Sequence, residues 1–279
     1  MPKDYKTLSL NSITPHLGAE VSGVDLATEF GADQIAEIRR AFAENAVLVF
    51  RDQRISRDRH KDFGRLFGAL HIHPAKKTMG MKGDLEIFDV KADENTKFAN
   101  GALWHADVTC EEIPPLGSML LMKQSPRVGG DTIFANMNLA FETLSGPIRS
   151  MLRELTAVHD GLQDLANYGI RPSANIDYPR TEHPVVVRHP DTGKELLFVN
   201  SAFTSHIKGM SKRESDSVLK LLYSHIAEDA RLHCRVKWAD DTLVFWDNRA
   251  VQHYAVFDYY PGIRIAERVS IQDTVRPTA

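Results

Sequence analysis

The chain has 279 residues, 43% of them hydrophobic, with a formal net charge of −3 and an isoelectric point near 6.5. That length and apolar content allow one large domain with a sizeable core, and nothing in the weakly acidic balance suggests nucleic acid or an anionic membrane as the main partner, so none is expected. Cys110 and Cys234 are too few for a disulfide framework, no run of about 18 apolar residues is present, and the N-terminal MPKDYKTLSL has no apolar signal core, so a soluble, cytoplasmic protein is expected.

Residues 33–45 place Ile35, Ile38 and Phe42 on one helical face. AVLVF (46–50) follows as a buried strand. Ser56 then caps a helix carrying Phe63, Leu66 and Phe67, and Gly68 ends it. Short β-rich segments come next at 85–90, 117–123, 131–136, 183–189, 195–200, 232–238, 242–247 and 264–273. One helix starting near Ser145-Gly146-Pro147 interrupts them, and a second opens on the capping box Ser211…Glu214. Many short strands separated by turn residues predict a mostly β fold, a double-sheet jelly roll with helices on its outside. Helices and strands alternate too irregularly for a parallel α/β sheet. Residues 1–279 read as a single domain with lid-like insertions near 71–100 and 160–182, the second rich in Gly, Asn, Pro and Asp.

The segment WHADVTC, residues 104–110, reads as a strand. Side chains two apart on a strand share a face, about 7 Å apart at Cα, so His105 and Asp107 can reach one ion together. A third ligand must come from elsewhere, and the best candidate is His253, which follows the strand 242–247 closely; strands remote in sequence become neighbours in a jelly roll. Two histidines and a carboxylate on one side of a metal leave the other side open, the arrangement of non-haem Fe(II) oxygenases, although hydrolytic zinc sites use the same ligand types. An oxygenase of this kind draws electrons from a 2-oxo acid, whose far carboxylate needs an anchor with a bidentate fork. Arg264, eleven residues past His253, and Thr132, after Gly129-Gly130-Asp131, are suited to it.

The stretches VSGVDLA, LVFRDQ, LHIHP, WHADVT, GGDTIFANM, HPVVVRHPDTGK, LFVN and WDNRAVQHYAVFDYYP span nearly the whole chain. Through them the sequence resembles the TauD/TfdA family of Fe(II)/2-oxoglutarate-dependent dioxygenases, nearest the taurine dioxygenase branch. The resemblance implies a double-stranded β-helix, a jelly roll. It makes His105, Asp107 and His253 the catalytic iron ligands, and Thr132 and Arg264 the residues that hold 2-oxoglutarate, with Fe(II) as cofactor and 2-oxoglutarate and O2 as cosubstrates. The carboxylate at Asp107 favours hydroxylation of a substrate C–H. If that carbon bears a sulfonate, an ether oxygen or a sulfate ester, the product falls apart by C–S or C–O cleavage.

The same resemblance assigns Arg268 and His73 to an anionic headgroup. Lys76 stands where the taurine enzymes carry tyrosine, and Gly101, next to Asn100, where they carry asparagine. Gly161 stands where phenylalanine is expected, and Phe203 is placed in the pocket wall. A roomier, differently charged pocket follows, open to a sulfonate, sulfate ester or carboxylate, with taurine one option among them. Lys76 would either favour a second acid group or point to solvent. In WDNR, Trp246 is placed near the cofactor, and Asp247 and Asn248 shape the turn before His253. A homo-oligomer, dimer or tetramer, is expected by resemblance only. The competing reading is a jelly-roll metal protein without redox turnover, a hydrolase or a small-molecule binder, which has no need of the Thr132 and Arg264 anchor.

Overall fold

The computed structural model describes residues 5–78, 83–96, 101–170 and 177–279. In chain order the first strands are β1 (Ser9–Ser12), β2 (Ala19–Ser22), β3 (Val47–Phe50), β4 (Leu70–His71), β5 (Phe88–Ala92), β6 (Pro115–Gln124), β7 (Thr132–Asn136) and β8 (Thr156–Asp160). There follow β9 (Arg180–Pro184), β10 (Val186–Arg188), β11 (Glu195–Leu197), β12 (Thr204–Ile207), β13 (His233–Val236), β14 (Leu243–Asp247), β15 (Val251–Ala255) and β16 (Arg264–Gln272). The helices are α1 (Ala32–Asn45), α2 (Arg57–Arg65), α3 (Pro74–Thr78), α4 (Met137–Glu142), α5 (Gly146–Arg153), α6 (Gly161–Asn167) and α7 (Lys212–Glu228).

Two sheets face each other. The larger runs β1-β2-β3-β14-β6-β16-β4, with β5 also on β16; the smaller is β13-β7-β15. Every ladder between neighbours in them is antiparallel except β2 with β3. The period of two sorts each strand's residues into layers. Val47, Val49, Leu120, Met122, Val244 and Trp246 meet Phe134, Cys234, Val236 and Val251 of the smaller sheet in an inner core. The alternate residues Leu48, Phe50, Met119, Leu121, Leu243 and Phe245 face outward and pack on Ile38, Phe42 and Phe63 of α1 and α2. Phe42 stacks on Phe245 at 3.8 Å between ring centroids, and burying such a ring stabilises by about 1.5–3 kcal/mol. A third apolar layer behind the smaller sheet joins Ala135 to Phe141, Leu152, Leu219, Leu222 and Ile226 of α4, α5 and α7.

The helix signals act as the sequence implies. The Ser56 side chain accepts from the Arg59 N–H, and Ser211 with Glu214 forms the reciprocal capping box of α7. α1 ends on Ala46 at φ 56°, which turns the chain directly into β3. The helix after Ser56 stops at Arg65, before Gly68. The segment 183–189 divides between β9 and β10, which pair with β8 and β11 respectively. Pro184, without an N–H, ends the first of these ladders. The stretches read as insertions carry α3 and α6 rather than loop alone.

WHADVTC is not a strand. Only His105 pairs, in a single-residue antiparallel bridge to His253. The chain then turns, with Val108 at φ 52°. Among the described residues no helix is long and apolar enough to cross a membrane.

Candidate active site

His105 and His253 are joined at the backbone: His105 N–H donates to the His253 carbonyl at 3.1 Å, and the reverse bond is 2.7 Å. Their ring centroids lie 4.0 Å apart. Asp107 reaches the same point from the turn, its Oδ1 at 3.8 Å from His105 Nε2 and 4.0 Å from His253 Nε2. All three residues are buried. Side chains, not a ladder, hold the Asp107 backbone. Its N–H donates to Asn248 Oδ1 at 2.6 Å, and Asn248 Nδ2 donates to the carbonyls of Asp107 and Pro115 at 2.9 and 3.1 Å.

The protonation states suit a metal. Burial pushes both imidazoles below the ordinary histidine range, His253 further still because His105 adjoins it. Both are neutral at pH 7. His105 Nδ1 lies 2.7 Å from the Leu103 carbonyl, which requires the hydrogen on Nδ1 and leaves the Nε2 lone pair free. Burial alone would raise the Asp107 carboxyl, but the Arg268 guanidinium, His253 and His105 outweigh it and hold it below the usual carboxylate range. Arg268 Nη1 sits 2.6 Å from Oδ1, and Ser118 Oγ donates to Oδ2 at 2.8 Å. Two bare imidazole nitrogens and an ionised carboxylate, with ligand atoms within 4.8 Å of one another, fit a two-histidine, one-carboxylate metal centre.

His189, Asp191 and Asp247 also cluster. There the Arg249 guanidinium already bonds Asp191 Oδ2 at 2.6 Å and Asp247 Oδ2 at 2.8 Å, while His189 Nε2 lies 3.0 Å from the same Asp247 oxygen. The Asp247 and Asp191 carboxylates thus already have a cationic partner in Arg249, and the pairing stiffens the turn that carries Asn248.

The metal ligands open on a cavity of about 360 Å³ between the sheets. Thr132 comes from β7, and Arg264 and Arg268 from one face of β16. Arg264 is 5% exposed, yet its guanidinium forms no hydrogen bond or ion pair with any described residue, and burial lowers its pKa. It lies 5.5 Å from the Trp238 ring centroid, and Trp238 Nε1 donates to Thr132 Oγ1 at 3.0 Å. The Thr132 hydroxyl hydrogen is thereby left for another acceptor.

Trp246, Phe203, Gly101 and His73 line the same cavity. Burial, and then Arg268, drives His73 down to about 3. Gly101 sits at φ +87°, which favours glycine, and a Cβ there would crowd His105 Cε1 at 3.3 Å. Lys76 does not reach the cavity. It is 5% exposed, and its ammonium donates to the carbonyls of Asp84, at 2.6 Å, and Ile87. Gly161 does not enlarge the pocket either, because the Tyr178 ring lies 2.5 Å from where its Cβ would be. Asn100 lies outside the described residues. Sequence reasoning missed Trp238, which lies just past β13, and Asp164 and Tyr168, which line the cavity from a segment it read as loop.

Residues 9–270 match the family model described as taurine catabolism dioxygenase TauD, TfdA family. An alpha-ketoglutarate-dependent sulfonate dioxygenase of Saccharomyces cerevisiae is 34% identical, over 95% of this chain and 67% of its own length. An alpha-ketoglutarate-dependent sulfate ester dioxygenase of Pseudomonas putida is 33% identical, over 96% and 90%. The crystal structure of a putative alpha-ketoglutarate-dependent taurine dioxygenase from Burkholderia xenovorans superposes with a TM-score of 0.83 at 33% identity, covering 98% of this chain and 91% of that one. The fold, the buried two-histidine, one-carboxylate cluster and these likenesses agree: the chain belongs to the TauD/TfdA family and is an Fe(II)- and 2-oxoglutarate-dependent dioxygenase.

Proposed function

We propose that the enzyme hydroxylates a C–H bond of a small organic anion, a sulfonate, sulfate ester or carboxylate, in a reaction that also converts 2-oxoglutarate and O2 into succinate and CO2. The observation that carries the cosubstrate assignment is the Arg264 guanidinium, buried at the cavity wall with no counter-ion among the described residues. Leaving such a charge unpaired is expensive, and a carboxylate of the cosubstrate would neutralise it through a bidentate bond. Thr132 donates its hydroxyl to the same carboxylate, held in orientation by Trp238. His105, Asp107 and His253 hold Fe(II), which supplies the activation of O2. Arg268 and His73 then offer a cation and a hydrogen-bonding ring to the substrate anion, while Phe203, Phe88 and Trp246 keep water from the reacting carbon. The yeast and Pseudomonas relatives are named for sulfonate and sulfate ester oxidation, which supports this substrate class. A metal centre for hydrolysis or binding alone would leave Arg264 without a partner.

The test is succinate formation from 2-oxoglutarate with Fe(II), against alkanesulfonates, alkyl sulfates and aryloxyacids. Stimulation by one class, lost in His105→Ala, supports the reading and selects among the three. Protein that binds 2-oxoglutarate but turns over none of them refutes the anionic substrate. Light scattering tests the expected dimer or tetramer.

A further inference from the structure

The cavity also carries a carboxylate that neither the metal centre nor the cosubstrate anchor uses. Asp164 lies on α6, which contributes Leu165 and Tyr168 to the same wall. No described residue donates a hydrogen bond to it or pairs with it, yet Asp107 and Arg268 both lie close enough for their charges to act on it. A substrate carbon presented to the metal, with its anionic group on Arg268, would lie between those two residues. The hydroxyl delivered to that carbon would then form in the space that Asp164 borders. A carbon bearing both a hydroxyl and a sulfonate or sulfate ester expels the sulfur group once the O–H proton is removed.

We propose that Asp164 is a catalytic base for this second step, its carboxylate taking the hydroxyl proton of the hydroxylated product while the carbon–sulfur or carbon–oxygen bond breaks. In an α-hydroxysulfonate the O–H electron pair becomes the second bond of a new C=O, and the C–S pair leaves with sulfur. The products are an aldehyde, sulfite and the Asp164 carboxyl. A hydroxylated sulfate ester gives an aldehyde and sulfate in the same way, and no oxidant takes part. The inference rests on the proposed function, through the assignment of Arg268 to the substrate anion. Arg268 would face the charge that gathers on the departing group. Its Nη1 is engaged with Asp107, but its buried Nε has no partner among the described residues and remains as a donor.

The other proton acceptors of the wall are unsuited. Nε2 of His105, Nε2 of His253 and the Asp107 carboxylate converge on the metal position. His73 is driven down to about 3 and holds a proton too weakly. Tyr168, and Tyr178 and Cys110 beside Gly161, are kept protonated by burial. Burial and then the Asp107 charge push Asp164 up to about 7, against the pull of Arg268. Near pH 7 it is present in both forms, the condition in which a general base is most effective.

The experiment supplies the substrate of the second step directly. α-Hydroxyethanesulfonate, the bisulfite adduct of acetaldehyde, is added to protein loaded with Fe(II) and succinate, without O2, and sulfite is trapped and measured as it is freed. Wild type is expected to release sulfite about 100-fold faster than buffer, at a rate that saturates with the adduct. The saturated rate should level off above about pH 7, whereas the reaction in buffer keeps rising with hydroxide. Asp164→Asn should bind the adduct at least as well in calorimetric titration and release sulfite at the buffer rate. Asp164→Glu should restore part of the acceleration, and an unchanged melting temperature shows that each variant is folded. If neither folds, the wild-type pH profile decides. Wild type that binds the adduct but releases sulfite no faster than buffer overturns the proposal. So does full acceleration in Asp164→Asn, or a saturated rate that keeps rising with hydroxide. An adduct that does not bind at all is a distinct result, and it overturns the assignment of Arg268 to a sulfonate together with the base.

Discussion

Arg264 shows how a single residue can serve function against stability. Its charge is buried without a counter-ion among the described residues. Replacing it by glutamine removes the fork and the charge together, and should raise the Kd for 2-oxoglutarate roughly 100-fold, about 3 kcal/mol, in a direct binding titration. Lysine should recover part of that, because it restores the charge without the planar fork. Arg264→Met should raise the melting temperature of the unloaded protein, since an unpaired buried cation is exchanged for an apolar chain of similar length. A fall in melting temperature would show that Arg264 is held by contacts other than those described. At this scale the sequence was informative where residue type carries the chemistry. His105, Asp107, His253, Thr132 and Arg264 all line one cavity. It was not informative about direction. Lys76 lies in the short helix α3, whose turn points its ammonium at the carbonyls of Asp84 and Ile87. Gly161 looked like missing volume, but Tyr178, seventeen residues on, fills it.

The segment that carries Asp107 is an element made without a ladder. Beyond the His105 bridge it is fastened by Asn248 at Asp107, and by His159, Asn200 and His183 around Thr109 and Glu111. Asn248→Ala removes three buried hydrogen bonds at once. It should weaken metal affinity by about 10–100-fold, the usual effect of losing a group that orients a ligand, read by competition with a chelator. An unchanged affinity would mean that the other fastenings suffice. The period-of-two reading of WHADVTC placed both ligands on one side correctly but gave the wrong element. Alternation cannot distinguish a strand from a turn whose backbone is tied down by an asparagine 141 residues away. By contrast, α1 was legible from its apolar spacing, and α7 from its apolar spacing and its capping box, because these signals are local.

Across the whole molecule, the jelly roll was legible from the number and shortness of the strands. Their pairing was not, because β14 lies between β3 and β6 only through long-range contacts. The pH dependence of stability also belongs to this scale. Burial drives His159 down to about 3 and His183 to about 4, from the ordinary 6.5. Both are neutral when folded and free to take a proton when unfolded. Their contribution is therefore complete above pH 6.5 and is lost as the pH falls toward the folded values, at about 1.4 kcal/mol per pH unit for each. Denaturant midpoints should drop steeply between pH 7 and 5. His183→Gln, which can still donate to the Thr109 and Glu111 carbonyls but does not titrate, should reduce the slope by about one proton's worth. An unchanged slope would remove His183 from the account.

Arg264, without a counter-ion among the described residues, makes the cosubstrate part of the folded molecule's charge balance. A ligand at a hundred times its Kd stabilises the native state by about 2.7 kcal/mol, and the fraction of chains open to a protease shrinks about 100-fold with it. The lifetime of this enzyme in a cell would then follow the supply of 2-oxoglutarate, even when no substrate is present.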